Sequence, residues 1–277
     1  MKICLVIPVY NNHGLIEPLV EKLHQVTDLD LLIIDDGSEP KIDIANVNIH
    51  RFEKNKGKGV ALQWALKNSS QYSHIITMDG DGQHLPEDIP KFVEAINTNP
   101  KDLIIGNRVF DDSVPGISQF GRKFSNFWVK YQTGHSVQDS QSGFRVYPLE
   151  LLANLKFYTK RYDFEIEILV RAIWRGLKVR EIPVSVIYPP EDQRVSHFNK
   201  LKDNTRITLL NIYLIAYSLI FYQKSFVKLL SVAAISVPFS MLSSFWLGAF
   251  LGIFSCVILR LNALLMLVCL LFLRMII

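Results

Sequence analysis

Cysteine is scarce, basic charge is barely in excess, and no cleavable leader pattern is present. The 277 residues hold three cysteines, Cys4, Cys256 and Cys269. Their spacing suits neither a metal site nor a disulfide framework, and so few fit a reducing compartment. Lys and Arg number 30 against 26 Asp and Glu, a net +4 spread along the chain. Nucleic-acid binding is not expected, because such proteins gather basic residues on one face. The opening MKICLVIPVY has a short apolar core broken by Pro8 and no small-residue cleavage site after it, so it is read as a strand rather than a signal peptide. His13, His24, His50, His74 and His135 show no metal-ligand spacing.

Charge is also missing locally. No charged residue occurs from Leu229 to Leu259, and only Arg260 interrupts the run up to Leu273. A bilayer span needs about 20 apolar residues in a helix, so two spans are expected within residues 226–277, with a turn near Gly248–Gly252 or Arg260–Asn262. A buried core hairpin is the alternative. Lys224, Lys228 and the basic stretch 194–206 place the preceding domain on the cytoplasmic side of a cell (inner) membrane in a multi-pass protein. Residues 207–225 suit an interfacial helix, because 207–222 are uncharged with scattered polar positions. The span faces carry no clear small-residue motif, so homo-oligomerisation stays open.

Residues 1–206 read differently. KICLVIPVY and LDLLIIDDGS are apolar runs that end in polar or turn residues, as buried parallel strands do. Leu15–Val26 has helical spacing, and NKGKGVALQWAL is a glycine-led helix start. HIITMDGDGQH is a strand running into a loop, PEDIPKFVEAI a helix with an acidic first turn, and DLIIGNR another strand. Further on, DSQSGFRVYP is a loop entering a short strand. DFEIEILVRAIWRG is an amphipathic helix closed by Gly176, LKVREIPVSVIYP a strand, and PEDQRVSHFNKLKDNTRI a basic polar connection. This alternation predicts an α/β fold with a mainly parallel sheet. Phe120, Phe124, Phe127, Trp128 and Tyr131 fall at helical spacing and are read as packing residues ahead of lipid contact.

Ligands of such sheets bind beyond the carboxyl ends of the strands. Three polar clusters fall there: Asp35–Asp36–Gly37, Asp79–Asp81–Gln83 and Asn107–Arg108. DGDGQ fails as a calcium loop. With Asp79 and Asp81 at positions 3 and 5, position 1 is Thr77 and Pro86 interrupts the loop. Two carboxylates two apart at a strand end point the same way, and the flanking glycines admit a phosphate. Magnesium or manganese takes one or two carboxylates plus phosphate oxygens. For one such pair alone a polar turn would serve as well. Asp35–Asp36 also suits a helix N-cap, and Asp163 with Glu165 a helix start.

VIPVYNN, IIDDGS, NKGKGVALQWAL, MDGDGQH, GNR, DSQSGFRVYP and DFEIEILVRA, in this order, resemble the family 2 glycosyltransferases of GT-A (Rossmann-like) fold over residues 1–206. The branch they resemble is the dolichol- or polyprenyl-phosphate sugar synthases. The segment YPP…VSHF…DN.RI is similar to bacterial members associated with lipid or aryl-polyene biosynthesis. The resemblance implies transfer, with inversion, of a sugar from a nucleotide sugar (UDP- or GDP-linked) to a membrane lipid acceptor. It implies that Pro8, Tyr10, Asp35, Asp36 and Lys58 hold the nucleotide, with Asp79 and Gly80. It assigns Mg2+ or Mn2+ to Asp79, Asp81 and Gln83, and phosphate to Arg108 and Arg122. It sets Asp139 and Gln141 on the sugar and acceptor side. For a hydroxyl acceptor Asp139 is the first candidate base, with Asp163 and Glu165 behind it; a phosphate acceptor needs no base. One departure stands out. The serine–lysine pair typical of the branch is here Ser196–His197, flanked by Arg194 and Lys200, and histidine is a poorer fixed phosphate anchor. A basic loop drawn to anionic headgroups accounts for the same residues. The rivals are a nucleotidyltransferase, against which PVYNNHG lacks the basic residues, and a non-catalytic nucleotide-sugar sensor.

Overall fold

The apolar runs near the N-terminus become the middle of a sheet. The computed structural model describes residues 1–109, 116–187 and 199–221. In chain order these form β1 (Ile3–Val9), α1 (His13–Val26), β2 (Asp30–Asp35), β3 (Asn48–Arg51), α2 (Lys58–Asn68) and β4 (His74–Thr77). A 3-10 turn (Pro86–Asp88) leads into α3 (Ile89–Thr98), β5 (Leu103–Arg108) and α4 (Gly116–Thr133). Then come β6 (Arg145–Pro148), α5 (Leu149–Leu152), α6 (Phe164–Trp174), β7 (Val179–Val184) and α7 (Lys200–Phe221).

The strand order is β3-β2-β1-β4-β6-β5-β7. Only β6 is antiparallel to its neighbours among these strands. The chain leaves β1 toward β2 and β3 on one side and returns to β4 on the other. That reversal opens a crevice at the carboxyl ends of β1, β2 and β4. The register Val9↔Asp35 brings the ends of β1 and β2 level, whereas Val6↔Thr77 ends β4 three residues earlier, and the DGDGQ turn fills the space beside Val9.

One face of the sheet packs Ile3, Leu5, Ile7 and Val9 against Ile16, Leu19 and Leu23 of α1 and Phe92 and Ile96 of α3. The other face receives α2, which buries small residues, Gly59, Ala61 and Ala65, with Leu62. A Cβ at Gly59 would stand 2.7 Å from Phe164 Cβ, so the glycine lets α2 and α6 approach closely.

Three expectations need correction. β3 was not anticipated, because the short, half-buried sequence NIHR of an edge strand has no apolar alternation. The expected polar connection before residue 207 is helical from Lys200. Asn199 Oδ1 accepts from Lys202 N at 3.0 Å and Asp203 Oδ2 from Asn199 N at 2.8 Å, a reciprocal N-terminal cap. The aromatic spacing does make α4, but Phe124, Phe127 and Tyr131 are 47%, 57% and 57% exposed, whereas Ser125, Val129 and Gln132 are buried.

The chain divides after Arg206. Of the second unit, residues 207–221 are described, and they are helical. Among the described residues no helix is long and apolar enough to cross a membrane. The two spans expected within 226–277 lie outside the described residues, as do Arg194, Ser196 and His197.

Candidate active site

The crevice is lined by loops that the acidic strand ends shape. Asp35 is fully buried and accepts from Ser38 N (2.8 Å), Ile42 N (3.3 Å) and Arg51 Nη1 (2.5 Å). Burial opposes its charge, yet the bonds from Ser38, Arg51 and Ile42 hold its carboxyl below the usual range. Asp35 therefore braces the loop, with both carboxylate oxygens bonded within the protein. Asp36 accepts from Lys56 N (2.7 Å) and Gly57 N (2.8 Å) and so fixes the NKGKG turn beside β2. Burial raises its carboxyl above the usual value. Pro8 and Tyr10 are half-buried at the end of β1. Asn12 Nδ2 donates to Gly80 O at 3.0 Å and ties that end to the DGDGQ turn. A Cβ at Gly80 would lie 3.1 Å from Val9 Cγ2, so the turn rests directly on β1.

The DGDGQ turn meets two distant elements. Lys58 Nζ, at the start of α2, sits 2.5 Å from Asp79 Oδ1 and 2.6 Å from Glu165 Oε1, the latter from α6. Burial works against the ammonium, but the two carboxylates raise it well above the ordinary lysine value. Asp79 is likewise lowered by Lys58 against the cost of burial. Among the described residues Asp81 has no such partner: burial and the Asp79 charge push it up to about 6. Its Oδ1 accepts from Gln83 N at 3.0 Å, which closes the turn. Behind Asp79, Gly143 leaves the carboxylate its space, and Thr77 Oγ1 holds Gly143 O at 2.8 Å.

The donor set fits a divalent ion that shares its shell with a diphosphate. Two carboxylates lie on one turn, and no group of three or more His, Cys, Asp or Glu that could hold a metal occurs among the described residues. A hard cation with few protein ligands completes its shell with phosphate oxygens and water.

Asp139 does not match its expected part as the leading base. It is fully buried, with Oδ2 accepting from Arg108 Nε at 2.6 Å and Oδ1 from Arg108 Nη2 at 2.9 Å. Arg122 Nη1 lies 4.0 Å from Oδ2 and donates to Arg108 O at 2.9 Å. Both oxygens are thus committed to a bidentate ion pair, and Asp139 fixes Arg108 rather than receiving a proton. Asp163 Oδ1 accepts from Arg161 N at 2.9 Å and shapes the turn before α6. Glu165 joins the cluster as the partner of Lys58. Gln141 is half-buried between Ser140 and Ser142. Lys200 is the first residue of α7.

Sequence reasoning missed Arg145 and His84. Arg145 is fully buried and donates to three carbonyls: Ser142 (2.6 Å), Glu165 (2.7 Å) and Ser140 (2.7 Å). It clamps the loop that carries Gly143 to the helix that carries Glu165. The signal was available, since an arginine inside the short apolar run GFRVYP must find partners. His84 is buried against the Phe144 ring with Nδ1 unbonded. Burial lowers it to about 4, so the imidazole stays neutral.

Residues 4–155 match Glycosyl transferase family 2. The chain belongs to that family. It is 30% identical over 215 residues to the UDP-N-acetylglucosamine–dolichyl-phosphate N-acetylglucosaminyltransferase of Methanococcus voltae, covering 67% of this chain and 86% of the relative. It is 28% identical over 204 residues to the polyprenol monophosphomannose synthase of Mycolicibacterium smegmatis, covering 65% and 76%. Among solved structures it is similar to glucosyl-3-phosphoglycerate synthase from Mycobacterium tuberculosis, in complex with Mn2+, UDP and glucosyl-3-phosphoglycerate. That likeness has a TM-score of 0.57 at 21% identity and covers 79% of this chain and 78% of that one; it establishes the GT-A-like fold of this family 2 member. The protein is a glycosyltransferase, and the nucleotidyltransferase and sensor readings fall away.

Proposed function

We propose that this glycosyltransferase is metal-dependent and inverting, and that it moves a sugar from a UDP- or GDP-sugar to a polyprenyl phosphate at the inner face of a cell membrane. The observation that carries the reading is the meeting of Lys58, Asp79 and Glu165 beside Asp81 in the crevice. Opposite charges in that number suit a metal-bound diphosphate. Asp79 and Asp81, with Gln83, hold Mg2+ or Mn2+, which when bound acts as a Lewis acid toward the leaving diphosphate. Lys58, kept protonated, lies next to the same group, and Glu165 holds its ammonium in place. Asp36, through the turn it fixes, gives the nucleoside a rigid wall.

An acceptor phosphate is already an anion. Its oxygen forms the new bond to the anomeric carbon as the bond to the diphosphate breaks, and attack from the opposite face inverts that centre. No base is required, which agrees with Asp139 being committed to Arg108. The relatives named for dolichyl and polyprenyl phosphate support this acceptor, as does the long uncharged run after Lys228. Arg194, Ser196, His197 and Lys200 are assigned to the acceptor phosphate. The Ser196–His197 departure favours one second reading, a hydroxyl acceptor on another lipid or polyene. The test is nucleoside diphosphate release by the purified full chain with Mn2+ and lipid acceptor. Asp79→Ala and Asp81→Ala should each abolish it; transfer that persists at saturating donor would remove the metal assignment.

A further inference from the structure

Helix α4 turns polar residues inward and aromatic ones outward. Ser125 and Gln132 are buried, while Phe124, Phe127 and Tyr131 are exposed. Trp128 links them, with ring centroids 5.9 Å from Phe124, 5.2 Å from Phe127 and 5.9 Å from Tyr131. Three- and four-residue spacing puts these rings in one stripe. Lys123 and Lys130 are exposed along it, and GISQFGRKFSNFWVKYQT contains no Asp or Glu. An exposed aromatic patch of this kind marks an interaction surface.

We infer that this stripe of α4 rests in the headgroup region of an anionic lipid bilayer. Tyr131 and Trp128 carry the polar ring edge that settles at the level of the headgroups, Phe124 and Phe127 supply the apolar face of an interfacial helix, and lysines on a helix without acids complement anionic phosphates. The inward side of α4 explains the use of such a contact. Asn126 Nδ2 donates to Gln138 O at 2.6 Å, and Asn126 Oδ1 accepts from Ser140 N at 2.9 Å. Ser140 Oγ also donates to Ser125 Oγ at 2.7 Å. The helix that meets the lipid therefore holds the Gln138–Ser142 loop, and the bilayer surface lies about 10 Å, one helix diameter, from that loop. This purpose rests on the lipid-acceptor reading, but the surface itself does not.

The full chain, with Cys256→Ser and Cys269→Ser and a nitroxide on Phe127→Cys, is placed in vesicles of phosphatidylcholine and phosphatidylglycerol. The label should relax more with dissolved oxygen than with a water-soluble nickel chelate, and a control label on Glu94→Cys should do the reverse. A label at 127 as open to the chelate as the control overturns the inference. So does one shielded from both agents, which marks a protein contact. This arm needs no substrate, so it stands or falls apart from the acceptor reading. In a second arm, K123E with K130E should raise the KM for polyprenyl phosphate on anionic vesicles by a factor of about five per lysine. The donor KM should hold; an unchanged acceptor KM with retained fold counts against the inference.

Discussion

Replacing Gly143 with alanine tests the site through one methyl group. A Cβ there would stand 2.5 Å from Asp79 Oδ2 and 2.7 Å from Asp79 Cγ. Ordinary contact is about 3.5 Å or more, so the carboxylate must retreat by roughly 1 Å. Gly143 is not in the left-handed region, and alanine adds no backbone strain there. The displaced group is a short side chain and not the backbone, so the fold should absorb the change. Asp79 would leave Lys58 Nζ and the position from which it is proposed to meet the metal and diphosphate. A misplacement of that size costs up to about a hundredfold in rate. Nucleoside diphosphate release should fall about 30- to 100-fold in kcat/KM, while thermal melting moves by no more than about 3 °C. Wild-type activity in Gly143→Ala would refute the claim that the Asp79 position governs the site. Loss of activity together with collapse of the fold would refute the claim that Gly143 spares only the carboxylate.

Further outcomes follow from the buried charges. Arg145→Lys keeps the charge but loses the fork that reaches three carbonyls; two lost bonds from a charged donor cost about 3–5 kcal/mol, read as a fall in denaturant midpoint, and an unchanged midpoint would contradict the clamp. Asp139→Asn takes the bidentate carboxylate from the half-buried Arg108 cation and should cost about 2–3 kcal/mol; if Asp139 were instead a base, stability would hold and the pH–rate profile would change. Asp35 is lowered from its ordinary value of 3.8, so its contribution to stability is present above that pH and is lost as pH falls through the folded-state value. Arg51→Met should shrink this acid-side loss in urea titrations between pH 3 and 7, and identical curves would exclude the Asp35–Arg51 pair as its source.

The central strands were readable because a strand buried on both faces is a continuous apolar run. LVIPV, LLIID and HIIT show it, and DLIIGNR repeats it at β5. The half-exposed edge strand NIHR carries no such mark. The acids at the strand ends were equally visible, because polar residues directly after buried strands stand out. Their partners were not. Lys58 and Glu165 are 107 residues apart in sequence, and only the approach of α6 to α2, permitted by Gly59, brings them together. Asp139 looked like a free acid because Arg108 lies 31 positions away. Helical spacing located α4 correctly but misjudged its outward face: periodicity reports that one face differs from the other, and here the Ser140 loop claims the polar side.

The most direct measurement is the mass of the product formed by the purified full chain from nucleotide sugar, Mn2+ and a polyprenyl phosphate, with the lipid extracted for mass spectrometry. The account predicts the lipid phosphate heavier by one anhydrohexose-type unit, with the sugar of inverted anomeric configuration in a phosphodiester that mild acid cleaves. A sugar carried on a lipid hydroxyl, or a retained anomeric configuration, would contradict it.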